Sequence, residues 1–580
     1  MKKLFVSFFA MTLLFSCNKS TKSNEDKALD QKFDTYKDGF VTALWKISPN
    51  WASSVGYHKL DSVLTIPNDN QKKITLEFVN AQLDSLKKFN IDELSDNNKT
   101  DFHLIKNELE SDIFSITELK AGEWDPSSYN VCGAFAEILN GTYDTPEIRL
   151  RAFNAKMNNI PAYYEAAKNN IKNPTVEHTE LAIAQNLGGS TVFQDELKTA
   201  LDKSKLTDVE KKEMLAKAQV SVKAIADYAN WLKNLPNKTP RSFRLGAALY
   251  AKKFNHDIQS GYSADEIFKI AVDHKKDLHD KMFVLADKLW TKYKGTEAKP
   301  ADKLELIKQV IDKISLQHTT PEKFQSEIEK QIPELTAYVK AKDLLYIDPS
   351  KPLVVRKEPA YMAGVAGASI SAPGPYDKNA NTYYNVGSMS GWTPENAESY
   401  LREYNNYILQ ILNIHEAIPG HYTQLVYSNQ SPSIIKSILS NGAMVEGWAV
   451  YAERMMLESG YKNSDEMWLM YYKWNLRATC NTILDISVHT KNMSKEDALK
   501  LLTKEAFQQQ AEADGKWKRV TLSQVQLCSY FTGYTEIYNL REELKKQEGD
   551  KFNLKKFHEK FLSFGSAPVK YIKELMLSKE

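Results

Sequence analysis

The chain reads as a mainly α-helical protein carrying one small β-sheet. Three observations predict this. Residues 27–346 are dominated by apolar residues at helical spacing, broken by Pro, Gly and Asn. Residues 353–355 and 382–386 are short β-prone runs around a Gly/Ala/Ser/Pro-rich stretch, 363–375. Helical signals then return at Thr393 and continue to Lys579.

In chain order, residues 74–119 and 206–235 carry the clearest helical periods, and Pro236-Asn237-Lys238 ends the second. Ser263 followed by Glu266 before Ile267 forms a capping box that starts a helix. Leu353-Val354-Val355 and Thr382 to Val386 predict a small sheet or hairpin. Tyr383 sits on the second run, either on an edge strand that receives an extended peptide or in a core hairpin. Thr393-Pro394-Glu395 starts a helix with Thr as N-cap and Pro at the first position. Leu401, Tyr404, Ile408, Ile411 and Leu412 carry that helix toward His415.

The first residues have a different texture. Met1-Lys2-Lys3 is basic, residues 4–15 are almost wholly apolar, and Ser16-Cys17 follows. Twelve apolar residues are too few to cross a bilayer, which needs about 20. The pattern is that of a signal peptide over 1–16. Cys17 after a small residue resembles a bacterial lipobox, which implies cleavage before Cys17 and lipidation of its thiol; the other reading is an ordinary secretory signal. Residues 17–30 then form the lipidated end and a polar tether. The expected location is the outer membrane, facing periplasm or cell surface, with the lipid as membrane anchor.

Lys and Arg total 76 against 74 Asp and Glu, a balance that gives no reason to expect a nucleic-acid partner. Cys132, Cys480 and Cys528 form no CxxC pair, which disfavours a cysteine metal site; their odd number leaves at least one free thiol.

The chemistry concentrates in His415-Glu416-Ala417-Ile418-Pro419-Gly420-His421. In a helical HExxH motif two imidazoles lie one turn apart and share a zinc ion. Here the spacing is six, which on an ideal helix puts the second ring about 240° round from the first. Pro419 removes an N–H and clashes with the carbonyl four residues back, so the helix must break. Two looped-out residues return His421 to an effective one-turn spacing. The alternative is a helix that stops at Pro419, with two unrelated histidines. Glu446, in the apolar run 444–453, is a candidate third ligand, since catalytic zinc usually takes three. Glu453, in the same run, pairs with Arg454 or Arg477 or orients a ligand.

These residues resemble a bacterial family known as domain of unknown function 885, grouped with the gluzincin-type metallopeptidases. Its His-Glu-Ala-x-Pro-Gly-His hallmark matches 415–421, with Gln424, and its Glu-Gly-Trp-Ala matches 446–449. Further blocks resemble residues 49–58, 243–250, 476–489 and 529–541. The chain departs where the family often has Asp-Thr-Gly-x-His (here 485–489) and Pro-Gly-Gln (here Gln524-Val525-Gln526).

The resemblance implies that His415, His421 and Glu446 bind Zn2+ and that Glu416 is the general base of amide hydrolysis. It implies a two-lobed fold with a deep cleft, the sheet lying next to the zinc helix. An N-terminal helical region, 31–350, then precedes a catalytic zinc-binding region, 351–580. His489 and Tyr530 are candidate oxyanion donors. Arg477 and Arg541 either hold a substrate carboxylate or form structural pairs. The resulting expectation is a lipid-anchored zinc peptidase acting on peptides. Two other readings share the length, helicity and lipobox: a helical surface lipoprotein that binds nutrients or glycans, and a degenerate peptidase kept as a scaffold.

Overall fold

In the computed structural model, capping chemistry sets the element boundaries. The model describes residues 24–351, 353–358, 368–377 and 381–577. Cys17, with the signal segment, lies outside the described residues. The first helix, Asn24–Ile47, already covers residues 24–30, which the sequence suggested as tether. Asp30 fastens it: its carboxylate accepts from the Ser95 N–H at 2.8 Å and from Asn98 Nδ2 at 3.0 Å.

The capping box at Ser263 and Glu266 forms as expected and opens a 31-residue helix, Ala264–Lys294. The long period over 74–119 divides into Asp69–Leu86 and Asp96–Phe114, because Ser95 caps a new helix. The helix from Pro394 also divides, at Glu403. Asn405 turns its side chain onto the N–H groups of Tyr407 and Ile408 and restarts the chain as Asn406–Glu416. Local capping overrides a continuous apolar stripe in both places.

Buried apolar side chains form two clusters. The larger joins residues between Phe33 and Trp124 to residues between Leu245 and Ile572. The smaller takes Leu64 and residues from Tyr129 to Leu232. Helix Asp465–Thr490 runs through the larger one and is buried on nearly all sides from Met467 to His489. Helix Ala264–Lys294 packs along it, and Gly442–Glu458 packs along Cys528–Glu548. Cys132, Cys480 and Cys528 are all free and buried.

The sheet has three strands, β1 Leu353–Lys357, β2 Ala368–Ser371 and β3 Thr382–Val386, in the order β1-β3-β2. β1 runs parallel to β3, and β2 runs antiparallel to it. β3 is therefore central, and both sides of its backbone are paired. It offers no edge to a peptide, which corrects the edge-strand expectation for Tyr383. The Tyr383 ring lies instead under the Arg356 guanidinium, 3.8 Å away. Tyr384, on the opposite face, is fully buried and donates to Asn413 Oδ1 at 2.8 Å. That bond ties the sheet to the helix that ends in His415 and Glu416. Among the described residues, no helix is long and apolar enough to cross a membrane.

Candidate metal centre

Helix Asn406–Glu416 stops where Pro419 requires. Asn413 accepts from both the Ala417 and Ile418 N–H groups, and the Gly420 N–H returns to the Ile414 carbonyl at 2.9 Å. The next helix, His421–Asn429, starts directly afterward. The Ile418–Pro419 peptide is cis. Gly420 is needed for space: a Cβ there would lie 1.9 Å from the His415 carbonyl oxygen and 2.3 Å from that of Ile414. The turn is pinned from outside by Trp448, whose indole N–H donates to the Pro419 carbonyl at 2.8 Å.

Helix Gly442–Glu458 brings Glu446 up to this turn. It can do so because it crosses helix Cys528–Glu548 at two glycines. A Cβ on Gly447 would sit 2.3 Å from the Gly533 carbonyl carbon, and one on Gly533 only 1.7 Å from the Ala443 oxygen. In Glu446-Gly447-Trp448, then, one residue faces the histidines, the next permits the helix crossing, and the third holds the turn.

The result is convergence. One donor atom each from His415, His421 and Glu446 lie within 4.8 Å of one another. Glu446 Oε2 is 3.3 Å from His421 Nε2 and 3.7 Å from His415 Nε2. Tetrahedral zinc with bonds of about 2.0–2.1 Å spaces neighbouring donors by about 3.3 Å. Glu446 Oε2 is buried yet makes no well-formed hydrogen bond. The donors thus point at a shared place between them rather than at each other, and the residues fit a zinc ion.

The orientation of His415 is fixed from behind. Its Nδ1 lies 2.7 Å from Glu453 Oε1. The carboxylate only accepts, so Nδ1 carries the hydrogen and Nε2 is left to bind a metal. Glu453 is fully buried, and the same oxygen also accepts from the Trp474 indole N–H at 2.9 Å. Burial alone pulls the His415 pKa down, but the facing Glu446 and Glu453 carboxylates, with the charge of Glu416, raise it to about 10. Burial pushes the Glu446 carboxyl up, and the two imidazoles overcome this and hold it well below the usual carboxylate range. Burial raises the Glu416 pKa against the opposing pull of His421 and His415, as suits a general base.

Tyr530 joins the cluster. Its ring is nearly parallel to that of His415, with centroids 6.5 Å apart. Its hydroxyl accepts from Arg519 at 3.0 Å and keeps its own hydrogen to donate. His489 lies elsewhere. It is 15 residues beyond Trp474 on the same helix, about 22 Å along the axis for regular helical rise. Its Nε2 faces the Val520 and Ser523 carbonyls, and its ring stacks on Tyr250. The assignment of His489 as an oxyanion donor is thus corrected. Asp485, one turn before it, accepts from the N–H of Val525, which has φ of 73°. His489 and Asp485 thus support the 523–526 loop that leads to Tyr530.

The two expected substrate arginines are already paired. Arg477 donates through Nε and Nη2 to Glu512 at 3.1 and 2.6 Å. Arg541 is held by Glu458 and Glu542, each at 2.7 Å. Both are structural ion pairs here, which corrects their assignment as substrate clamps. Sequence reasoning missed Trp474 and Arg519, for which no motif spacing gave a signal, and the role of Trp448, which lay inside a motif already noted.

A family model described as bacterial protein of unknown function, DUF885, matches residues 49–576. The chain belongs to this family. Two solved structures are similar to this DUF885 member. One, from Shewanella oneidensis, is provisionally described as a lipoprotein of unknown function. It is 54% identical over 94% of this chain and 100% of its own, with a TM-score of 0.84. The other, from Colwellia psychrerythraea, is also provisionally described as a lipoprotein. It is 18% identical over 95% and 98%, with a TM-score of 0.75, and shares the fold. No curated protein matches the chain.

Proposed function

We propose that this DUF885 protein is a zinc-dependent peptidase, displayed outside the cytoplasmic membrane on a lipid at Cys17. The observation that carries the reading is the convergence of His415, His421 and Glu446 within 4.8 Å across a broken helix, with Glu416 beside them. The lipobox-like Cys17 supports the anchor, as do the two similar structures described as lipoproteins.

Bound zinc supplies a Lewis acid that lowers the pKa of water toward about 7 and polarises a carbonyl. The chain supplies the rest. Glu416 removes the proton from the attacking water and delivers it to the leaving nitrogen. Tyr530 donates its hydroxyl hydrogen to the oxyanion as charge develops there. Glu453 and Trp474 keep His415 in one tautomer and one orientation. Trp448 keeps the 417–420 turn from shifting.

The test is digestion of a mixed peptide library by zinc-loaded protein, read by mass spectrometry. Cleavage is expected, lost on chelation and lost in Glu416→Gln with zinc still bound. A Glu416→Gln variant with wild-type turnover would remove Glu416 as the base. A zinc-loaded protein that cleaves no peptide would remove the peptidase reading.

A further inference from the structure

Beside the metal centre lies a group of cations that the mechanism above does not use. Helix Gln510–Leu522 carries Glu512, Lys516 and Arg519. Two side chains connect this helix to the metal ligands. Arg519 hydrogen-bonds Tyr530, whose ring lies against that of His415. Arg477, held by Glu512, stacks 4.6 Å from the Trp474 ring, whose indole N–H reaches the carboxylate behind His415. Solvent reaches this region: Glu446, Arg477 and Glu512 each keep 21% of their side-chain surface exposed.

The charges do not balance. Glu512 is the one carboxylate of the described residues that pairs with any of these three basic side chains, and it already accepts two N–H bonds from Arg477. The Lys516 side chain is 3% exposed, and its ammonium reaches that same carboxylate only at 3.8 Å, beyond hydrogen-bond distance. Arg519 binds the Tyr530 hydroxyl and Gln526 Oε1, and no carboxylate of the described residues lies within ion-pair distance of it. The nearby carboxylate of Glu403 is taken by Lys473 and the Gln509 N–H. Burial, with the charges of Arg477 and Arg519, lowers the Lys516 pKa well below the usual lysine value against the pull of Glu512 and Glu403, so its charged form lacks a full counter-charge. An anion reaching Lys516 and Arg519 would supply that counter-charge.

We propose that Lys516 and Arg519 form an anion-binding subsite of the cleft, and that the substrates are peptides anchored there by a carboxylate. The subsite rests on the peptidase reading for its substrate class, but its geometry is independent of the metal. It replaces Arg477 and Arg541, whose guanidinium groups are paired within the protein.

Three N-dansylated peptide pools separate the possible sources of the carboxylate. The first lacks Asp and Glu and has a free C-terminus. The second is the same but amidated. The third is amidated with one Glu at a random position. Binding is measured by fluorescence on zinc-loaded Glu416→Gln, and cleavage on wild type. At least tenfold tighter binding is expected for the first pool than for the second if the C-terminus is the anchor, and for the third pool over the second if a side chain is. Lys516→Met and Arg519→Met, each on the Glu416→Gln background, should abolish that preference while zinc content and helical circular dichroism stay unchanged. Met fills the Lys516 site without a charge, so the fold should survive, and Arg519→Met gives an independent reading.

Equal binding of all pools, or a preference that survives both substitutions, overturns the subsite. If wild type still cleaves the pools in that case, the peptidase reading stands. A preference abolished by the substitutions, without cleavage by wild type, keeps the subsite and removes the peptidase reading. No binding of any pool removes both.

Discussion

Glu453→Gln isolates the support of His415 from the ligands themselves. The substitution keeps the shape of a fully buried side chain and an oxygen for the Trp474 N–H, but it removes the charge that faces His415 Nδ1 at 2.7 Å. An N–H bond to a carboxylate is about twice as strong as one to a neutral amide. Losing a carboxylate behind a metal-bound histidine typically lowers metal affinity by about 10–100-fold, or about 1.4–2.7 kcal/mol. The amide can also turn its NH2 toward Nδ1, which favours the tautomer with the hydrogen on Nε2, where the metal should bind. The assay is competition for zinc against a chromophoric chelator, with helical circular dichroism as the control for folding. The expected result is weaker zinc binding within that range in a folded protein. Affinity within twofold of wild type in a folded variant would refute the claim that Glu453 prepares His415 for a metal.

Two further outcomes follow from the same geometry. Gly420→Ala places a methyl 1.9 Å from the His415 carbonyl oxygen, so the turn cannot close and His421 cannot reach Glu446. The purified variant should hold less than a tenth of the wild-type zinc, measured by mass spectrometry of the metal, and wild-type stoichiometry would contradict the turn geometry. His558 predicts a pH dependence. It is fully buried between the Tyr451 hydroxyl and the Leu344 carbonyl, and burial lowers its pKa to about 4 from 6.5. Unfolded chains bind a proton there below about pH 6.5, whereas the folded protein does so only near 4. Its contribution is therefore intact above 6.5 and lost as pH falls through 4, and about 2 kcal/mol of it is gone at pH 5. Urea unfolding at pH 7 and 5 should show a shallower loss in His558→Asn than in wild type; equal losses would contradict the burial argument.

Much of the metal centre was legible because the signals are local. Pro419 forces a break, His415 and His421 flank it, and Glu446 stands in an apolar run where a bare carboxylate is costly. The capping box at Ser263 and the N-cap at Thr393 were legible for the same reason. What escaped depends on contacts distant in sequence. Nothing near Tyr383 says that a second partner, β2, would pair with β3 and make it central. Arg477 and Arg541 look available until Glu512 and Glu458 are placed against them. His489 sits in a block that resembles the family, and only the Val520 and Ser523 carbonyls and the Tyr250 ring packed around it show that it supports the 523–526 loop. Val525 stands where the family often has glycine and adopts φ of 73°, a conformation disfavoured for a β-branched residue. Burial and the bond from its N–H to Asp485 hold it there, and neither is visible in the sequence.

The central claim is that three side chains from two histidines and a glutamate meet at one metal ion. A crystal of protein purified in zinc, measured on both sides of the zinc absorption edge, tests it directly. The account predicts one strong anomalous peak within about 2.0–2.2 Å of His415 Nε2, His421 Nε2 and a Glu446 oxygen. No peak there, or a metal bound by other residues while these three stay apart, would contradict it.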